Sequence, residues 1–313
     1  MTDMKIKIEN KHVQRYTLPI LVSFLWGMMT ACSGNDVQLS NQNGQELVLY
    51  AFLKELSGEA SFSNPVFFAK GNESRKYTEI WKASVKPDGS TDLAGPKYYP
   101  SDDSRIYLCG FAPEGKQDSA GKRKYSIDGQ QDILVSNEQS GSLTDMFWRE
   151  EKSFEFLHLL TQLRFRLCCD AVGEAQGWKL RSLVAEGMQQ DAVLSLVDKR
   201  LLFSGERGMV AVVDRMKEEE RLSLTTTWTD IGKVTMIQSG IAVNLTITIE
   251  DKDGNLECFE HLPVTFHEDD KLSVAGTSYL LSVRLRVKDE ASLSVAIAPW
   301  KTGASGNGTI TEE

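Results

Sequence analysis

The sequence has few of the residues on which metal binding and catalysis depend. It contains four histidines and five cysteines in 313 residues, and no two cysteines have the CxxC spacing of a structural zinc site. The G-x-S-x-G, H-E-x-x-H and phosphate-loop motifs are also absent from it. We therefore expect no metal, no cofactor and a non-enzymatic role.

Acidic residues outnumber basic ones, and the apolar runs are short. Lys and Arg total 35 against 44 Asp and Glu, which gives a net charge of −9. Because phosphate binding needs clustered Lys and Arg, this balance argues against nucleic acid as a partner. The apolar run from Leu18 to Met29 is interrupted by Pro19 and Gly27, and it is shorter than the roughly 20 residues of a membrane-spanning helix.

This run instead fits an export signal. Four basic residues between Lys5 and Arg15 precede it, and Met29-Thr30-Ala31-Cys32 closes it. That ending resembles the lipobox of bacterial lipoproteins, which implies removal of residues 1–31 and acylation of Cys32. The alternative is an ordinary secreted protein cut nearby. We expect a mature charge near −11, a polar tether over residues 32–45, and attachment of the protein to the outer membrane, facing the cell surface.

The rest of the chain predicts an all-β protein. Short apolar runs separated by Gly, Pro, Asn or Asp are typical of β-sandwiches. In the first half these runs are Glu46 to Leu53, Ser61 to Phe68, Tyr77 to Val85 and Arg105 to Phe111. We place a domain boundary near Glu150, which divides the chain into domains 46–150 and 151–313.

The second half alternates more regularly. Apolar residues alternate with polar ones from Leu163 to Leu167, from Val243 to Ile249, and again from Tyr279 to Val287 and Leu293 to Ile297. The last two runs predict a hairpin. Asp251 to Asn255 is interpreted as a hairpin turn and not as a calcium loop, because Leu256 and Leu262 stand where an EF-hand needs Gly and Glu.

Two polar stretches carry weaker predictions. We expect Asp118 to Lys124 to be a loop, and Asp214 to Arg221 to be either a helix or a charged loop. The four cysteines after Cys32 are expected to be buried free thiols; they are Cys109, Cys168, Cys169 and Cys258.

Three stretches resemble the fimbrillin family, the lipoprotein subunits of type V pili and their associated proteins. They are the segment from Phe154 to Phe165, the segment Tyr98-Tyr99-Pro100 with Arg105 to Phe111, and Ala275 to Tyr279 with Ala298-Pro299-Trp300-Lys301. The resemblance spans nearly the whole chain. It implies two transthyretin-like β-sandwich domains in tandem and a role in pilus assembly or cell adhesion, in the fimbria or at the outer membrane.

The resemblance also implies strand exchange with other pilus subunits. In stalk subunits a protease removes the first strand, and a strand of another subunit fills the groove that this opens. Here the candidate removable strand is Glu46 to Leu53, with Leu47, Leu49, Ala51 and Leu53 facing inward. Val48, Tyr50 and Phe52 are apolar too, so we expect the strand to be covered on both faces.

The candidate processing sites depart from the family pattern. No arginine lies between Cys32 and Arg75, and Lys54 is the basic residue nearest to the first strand. A cut at Arg75 would fall beyond two strand candidates. This favours an uncut anchor, a tip or accessory subunit, or maturation by another protease.

The alternative function is that of a tethered surface lipoprotein that binds glycans. Exposed tryptophans stack on sugar rings, and we consider Trp178 and Trp228 for this role. Host or bacterial surface glycans or proteins would then be its partners.

Overall fold

The computed structural model describes residues 44–54, 62, 65–119, 121–214, 217, 221–266, 271–287 and 290–301. The predicted signal peptide 1–31, Cys32 and most of the tether lie outside the described residues, as does most of the stretch from Asp214 to Arg221. None of the helices in the described residues has the length and apolar character that a membrane span requires.

The described residues are mostly strand, which confirms the all-β prediction. Their helices are a 3-10 turn at Glu150–Lys152 and one α-helix, α1, at Ala171–Ala175. The strands are β1 (Ala51–Leu53), β2 (Val66–Gly71), β3 (Glu79–Val85), β4 (Thr91–Leu93), β5 (Ile106–Ala112), β6 (Lys116–Ser119), β7 (Lys122–Ser126), β8 (Leu134–Gly141), β9 (Phe154–His158), β10 (Thr161–Cys169), β11 (Lys179–Ser195), β12 (Arg200–Asp214), β13 (Leu222–Ser223), β14 (Thr229–Ile237), β15 (Asn244–Glu250), β16 (Leu256–Pro263), β17 (Ser278–Arg286) and β18 (Glu290–Ala298).

The N-terminal sheet has seven strands in the order β1-β9-β8-β5-β2-β3-β4. One of its faces surrounds a core rich in aromatic rings, in which Phe68, Phe154 and Phe156 are fully buried. Phe68 lies with its ring centroid 4.9 Å from that of Phe154. Edge-to-face contacts of this kind add to the stability gained from burying the rings.

The C-terminal part is a sandwich of two sheets. A four-stranded sheet in the order β14-β10-β17-β18 faces β11, β15 and β16 of a second sheet. On β10 the inward residues Leu163, Phe165 and Leu167 are buried, whereas Arg164 and Arg166 are partly exposed. The predicted alternation is therefore confirmed, and it follows from the two-residue period of a strand.

Both predicted hairpins of this half are present. β17 pairs antiparallel with β18, and β15 pairs antiparallel with β16. In the turn between β15 and β16, the carboxylate of Asp251 accepts the backbone N–H groups of Asp253 and Asn255. This is the turn chemistry expected of Asp in a hairpin.

A third core joins the two halves of the chain. Phe67 and Phe111 of the N-terminal sheet pack with Tyr125 of β7 and with Ala192 and Leu194 of β11. β9 follows residue 150 but belongs to the N-terminal sheet. β6 and β7 precede residue 150 but belong to the sheet of β11, in which β7 pairs with β11 and β6 pairs with β7. Since strands cross residue 150 in both directions, the domain division near Glu150 stays a prediction.

The loop prediction for Asp118 to Lys124 is wrong. β6 and β7 form an antiparallel hairpin there, with Lys116 opposite Lys124. The other edge of β7 pairs with β11 from Asp191 to Ser195. This backbone pairing and the buried ring of Tyr125 stabilise β7 as a strand, although the polar composition of the stretch does not favour one.

Candidate functional site

The first segment, Gly44 to Lys54, lies between the two ends of the N-terminal sheet. On one side it meets the chain around β4. The N–H of Leu47 donates to Lys97 O at 2.7 Å, and the N–H of Ala51 donates to Gly89 O at 2.8 Å. In return Leu49 O accepts the N–H of Thr91 at 3.0 Å.

On its other side the same segment meets β9. Tyr50 O accepts the N–H of Phe154 at 2.8 Å, and the N–H of Lys54 donates to Phe156 O at 2.8 Å. β1 and β9 are parallel, with Ala51 opposite Phe154. The first segment, which contains β1, therefore joins β9 to the chain around β4 through its own backbone.

The predicted inward side chains do lie inside. Leu47, Leu49 and Ala51 are buried, and Leu53 packs against the same core. Burying a leucine side chain stabilises a fold by about 1.5–3 kcal/mol. Leu47 and Leu49 together thus bind this segment to the N-terminal core through apolar contact as well as hydrogen bonds.

The expectation that the outer face is covered is wrong. Val48 is 42% exposed and Phe52 is 44% exposed. The ring of Phe52 lies over Gly89, where a Cβ atom would meet the ring at 2.2 Å. Gly89 also has φ = +82°, so both the left-handed backbone and the close approach of Phe52 require glycine at this position.

A groove with a volume of about 390 Å³ opens beside this outer face. Tyr50 and Phe52 of the first segment line it together with Asp88, Trp148 and Arg149. Hydrogen bonds from the side chain and backbone N–H of Ser90 lower the pKa of Asp88, so its carboxylate is ionised at neutral pH. The residues that pair with the first segment and line this groove were missed in the sequence, because they come from parts of the chain far apart.

The two candidate processing sites have different surroundings. Lys54 follows β1 directly, is exposed, and lies 3.6 Å from the carboxylate of Glu155. Arg75 lies in the connection from β2 to β3, with φ = +55° and its side chain 3.2 Å from Glu138. A cut at Arg75 would separate β2 from β3, and β2 is a central strand paired with both β3 and β5.

The C-terminal end of the described chain is held at the junction of the two halves. Gln162 is fully buried; its Nε2 donates to Lys301 O at 2.6 Å, and its Oε1 accepts the N–H of Lys301 at 2.9 Å. Trp300 stacks on His158 with 3.8 Å between ring centroids, and His158 Nδ1 lies 2.5 Å from Asp132. His158 therefore packs against Trp300, which follows β18. β18 pairs with β17 on one edge.

The tryptophans considered for sugar binding differ in exposure. Trp178 is 1% exposed and packs on Gly173 and Phe259, so it is not available to a ligand. Trp228 is partly buried, and the guanidinium groups of Arg166 and Arg284 both lie over its ring. Trp148, which we did not single out in the sequence, is 53% exposed.

The remaining reactive groups of the described residues form no recognisable centre. In the described part of the chain, no three His, Cys, Asp or Glu side chains are placed to hold a metal ion. The four cysteines are free, but Cys258 is exposed and not buried as predicted. Burial raises the pKa of the Cys109 thiol to about 12, which keeps this thiol protonated and unreactive at neutral pH.

The fold and the first segment together define an all-β protein whose N-terminal strand completes a sheet by pairing at both of its ends. A model of the fimbrillin-like family matches residues 41–300. The chain belongs to this family. A comparison with curated proteins gives no match.

Two solved structures share the fold. A proposed cell adhesion protein from Bacteroides uniformis is 14% identical, with a TM-score of 0.56 over 82% of this chain and 98% of its own. A second proposed cell adhesion protein, from Bacteroides ovatus, is 11% identical, with a TM-score of 0.52 over 83% of this chain and 99% of its own. At these identities the likeness concerns the fold alone.

Proposed function

We propose that this chain is a non-enzymatic, lipid-anchored surface protein that acts in pilus assembly or cell adhesion by exchanging a β-strand with another subunit. Membership of the fimbrillin-like family supports the pilus or adhesion role. The observation that carries strand exchange is the first segment, which hydrogen-bonds to both ends of one sheet.

Strand addition gives the physical basis of this exchange. Withdrawal of residues 44–54 would expose the N–H of Phe154 and the carbonyl oxygens of Gly89 and Lys97, which now pair with the segment. It would also uncover the core beside Leu47 and Leu49. A donated strand satisfies such edges with its backbone and fills such a core with alternate side chains.

The cut that would open this groove falls after Lys54. Lys54 is exposed at the end of β1, and the segment before it is joined to the sheet by hydrogen bonds and apolar contact. A cut at Arg75 would remove β2 as well, whose residues Val66 to Ala69 are all buried. Losing a central strand would destroy the sheet that a donor strand must join.

The proposal includes attachment to the outer membrane through an acylated Cys32 before the cut. Several acyl chains make such attachment effectively permanent, because each buried methylene contributes about 0.8 kcal/mol. Cleavage after Lys54 would therefore release the folded part and open its groove in one step. Other pilus subunits are the partners that this mechanism requires.

Mass spectrometry of the protein from its native envelope tests this proposal. We expect the membrane-bound fraction to begin at acylated Cys32, and the protein in assembled fimbriae to begin at Glu55 without lipid. Assembled protein that begins at Cys32 throughout would contradict the proposed cut. So would a start beyond Arg75, which would show that β2 is dispensable.

A further inference from the structure

The acidic chain carries a row of arginines on the outer face of its four-stranded sheet. Arg164 and Arg166 project from β10, and Arg284 and Arg286 project from β17. Their neighbours Leu163, Phe165, Leu167, Val283 and Leu285 are buried on the inner face. This concentration of positive charge contrasts with the net charge of −9.

The pairing of β10 with β17 sets the spacing of these charges. The strands are parallel, with Arg166 opposite Ser282 and Cys168 opposite Arg284. The four arginines therefore occupy four successive outward rows. Because outward residues on a strand are about 6.6–6.8 Å apart, the series is about 20 Å long.

Two of these four charges, on Arg166 and Arg284, are held in place by uncharged groups. Arg166 Nε donates to Ser282 Oγ at 2.5 Å, and Arg284 Nε donates to Cys168 Sγ at 3.3 Å. Among the residues whose side chains the structure describes, no carboxylate is within ion-pair distance of any of the four arginines. In register, Asp230 of β14 lies opposite Arg166, and Glu290 of β18 lies opposite Arg286.

An aromatic ring lies in the middle of the row. The guanidinium carbon of Arg166 is 5.0 Å from the ring centroid of Trp228, and that of Arg284 is 5.3 Å from it. At the Arg164 end, a depression of about 80 Å³ adds the side chains of Lys233 and Lys301. The face therefore combines six cations and one aromatic ring with the carboxylate of Asp230, which lines the same depression.

We propose that this face, the arginine row with Trp228, binds an acidic polysaccharide. Guanidinium forks match carboxylate and sulfate groups in a bidentate geometry. A series about 20 Å long suits a polymer with repeated charges better than a single small anion. The exposed part of the Trp228 ring offers an apolar surface to a sugar ring beside the charged groups.

This inference deepens the adhesion part of the proposed function and does not depend on strand exchange. The row lies in the C-terminal sandwich, whereas the first segment completes the N-terminal sheet. Failure of one proposal therefore leaves the other intact. An acidic protein segment and anionic lipid headgroups are the rival ligands, and both lack the sugar ring that Trp228 would contact.

The experiment is a titration of the full folded protein with heparin, a sulfated uronate polymer, at 50 and 200 mM NaCl. We expect binding that weakens with salt, as charge-driven binding does. The double variant Arg166→Gln and Arg284→Gln should lose about tenfold or more in affinity, since hydrogen bonds to charged groups are the strong ones. A second pair, Arg164→Gln and Arg286→Gln, leaves Trp228 and its flanking arginines untouched and should also weaken binding.

Matched controls remove the same number of charges elsewhere. Lys116→Gln with Arg200→Gln changes two exposed cations on β6 and β12, and it should change affinity less than twofold. Trp228→Ala should weaken heparin binding, while Trp148→Ala should not. Equal losses in row and control variants would overturn the proposal. So would stronger binding to polyglutamate, or to phosphatidylglycerol vesicles, than to heparin.

Discussion

Replacing Trp178 with alanine is expected to lower the free energy of unfolding by about 3–5 kcal/mol. The Trp178 side chain is 1% exposed, and its ring packs on Gly173, where any added Cβ would lie 2.5 Å from the ring. Phe259 packs against it at 6.3 Å between centroids. The substitution would leave a large cavity in the core of the C-terminal sandwich.

Denaturant titration of this variant measures the loss of unfolding free energy, and it thereby shows whether Trp178 has a packing role or a sugar-binding role. The control is Trp148→Ala, because Trp148 is 53% exposed and its replacement should change stability by less than about 0.5 kcal/mol. If Trp178→Ala kept full stability and lost only carbohydrate binding, the buried position of Trp178 would be wrong.

Leu49→Ala is expected to cost about 2–5 kcal/mol of stability. The Leu49 side chain is fully buried between the two ends of the N-terminal sheet, and its carbonyl oxygen accepts hydrogen bonds from both the N–H and the hydroxyl of Thr91. The substitution leaves the backbone hydrogen bonds in place. The loss of unfolding free energy therefore measures how much the Leu49 side chain stabilises the bound segment.

Val48→Ala is the matched control for Leu49→Ala. It removes methyl groups from the neighbouring residue, which is 42% exposed, and should cost less than about 0.5 kcal/mol. Urea unfolding of both variants checks the prediction. Similar losses in the two variants would show that the segment is not held by its inner face.

Local pattern was sufficient to predict much of the fold. The alternation in β10, β15 and β17 identified these strands and their buried faces, since one face of each packs on a core. The inner face of the first segment was also correctly predicted at Leu47 and Leu49.

Pairing between distant parts of the chain could not be predicted in the same way. The strands β11 and β12, from Lys179 to Asp214, form the longest hairpin among the described residues and were not identified. Polar residues such as Gln189 and Gln190 interrupt its apolar pattern. Its ladder also shifts register at Glu186 and Met188, and such a shift breaks the two-residue period.

The candidate sites depend on this long-range pairing. Arg164 and Arg166 are visible as polar positions of a strand, but their row with Arg284 and Arg286 exists only because β10 pairs with β17. The role of the first segment in joining Gly89 and Lys97 to Phe154 likewise depends on contacts with residues far along the chain.

Strand replacement in a protein cut after Lys54 shows whether residues 44–54 fill an exchangeable groove. A protease site introduced at that position allows the folded protein to be cut, and a labelled peptide of residues 44–54 then competes with the bound segment. The account predicts that the labelled peptide enters the groove, and that a peptide with Leu47→Asp and Leu49→Asp does not. A cut protein that unfolds as a whole, or that binds both peptides equally, would contradict the claim that the first segment fills an exchangeable groove.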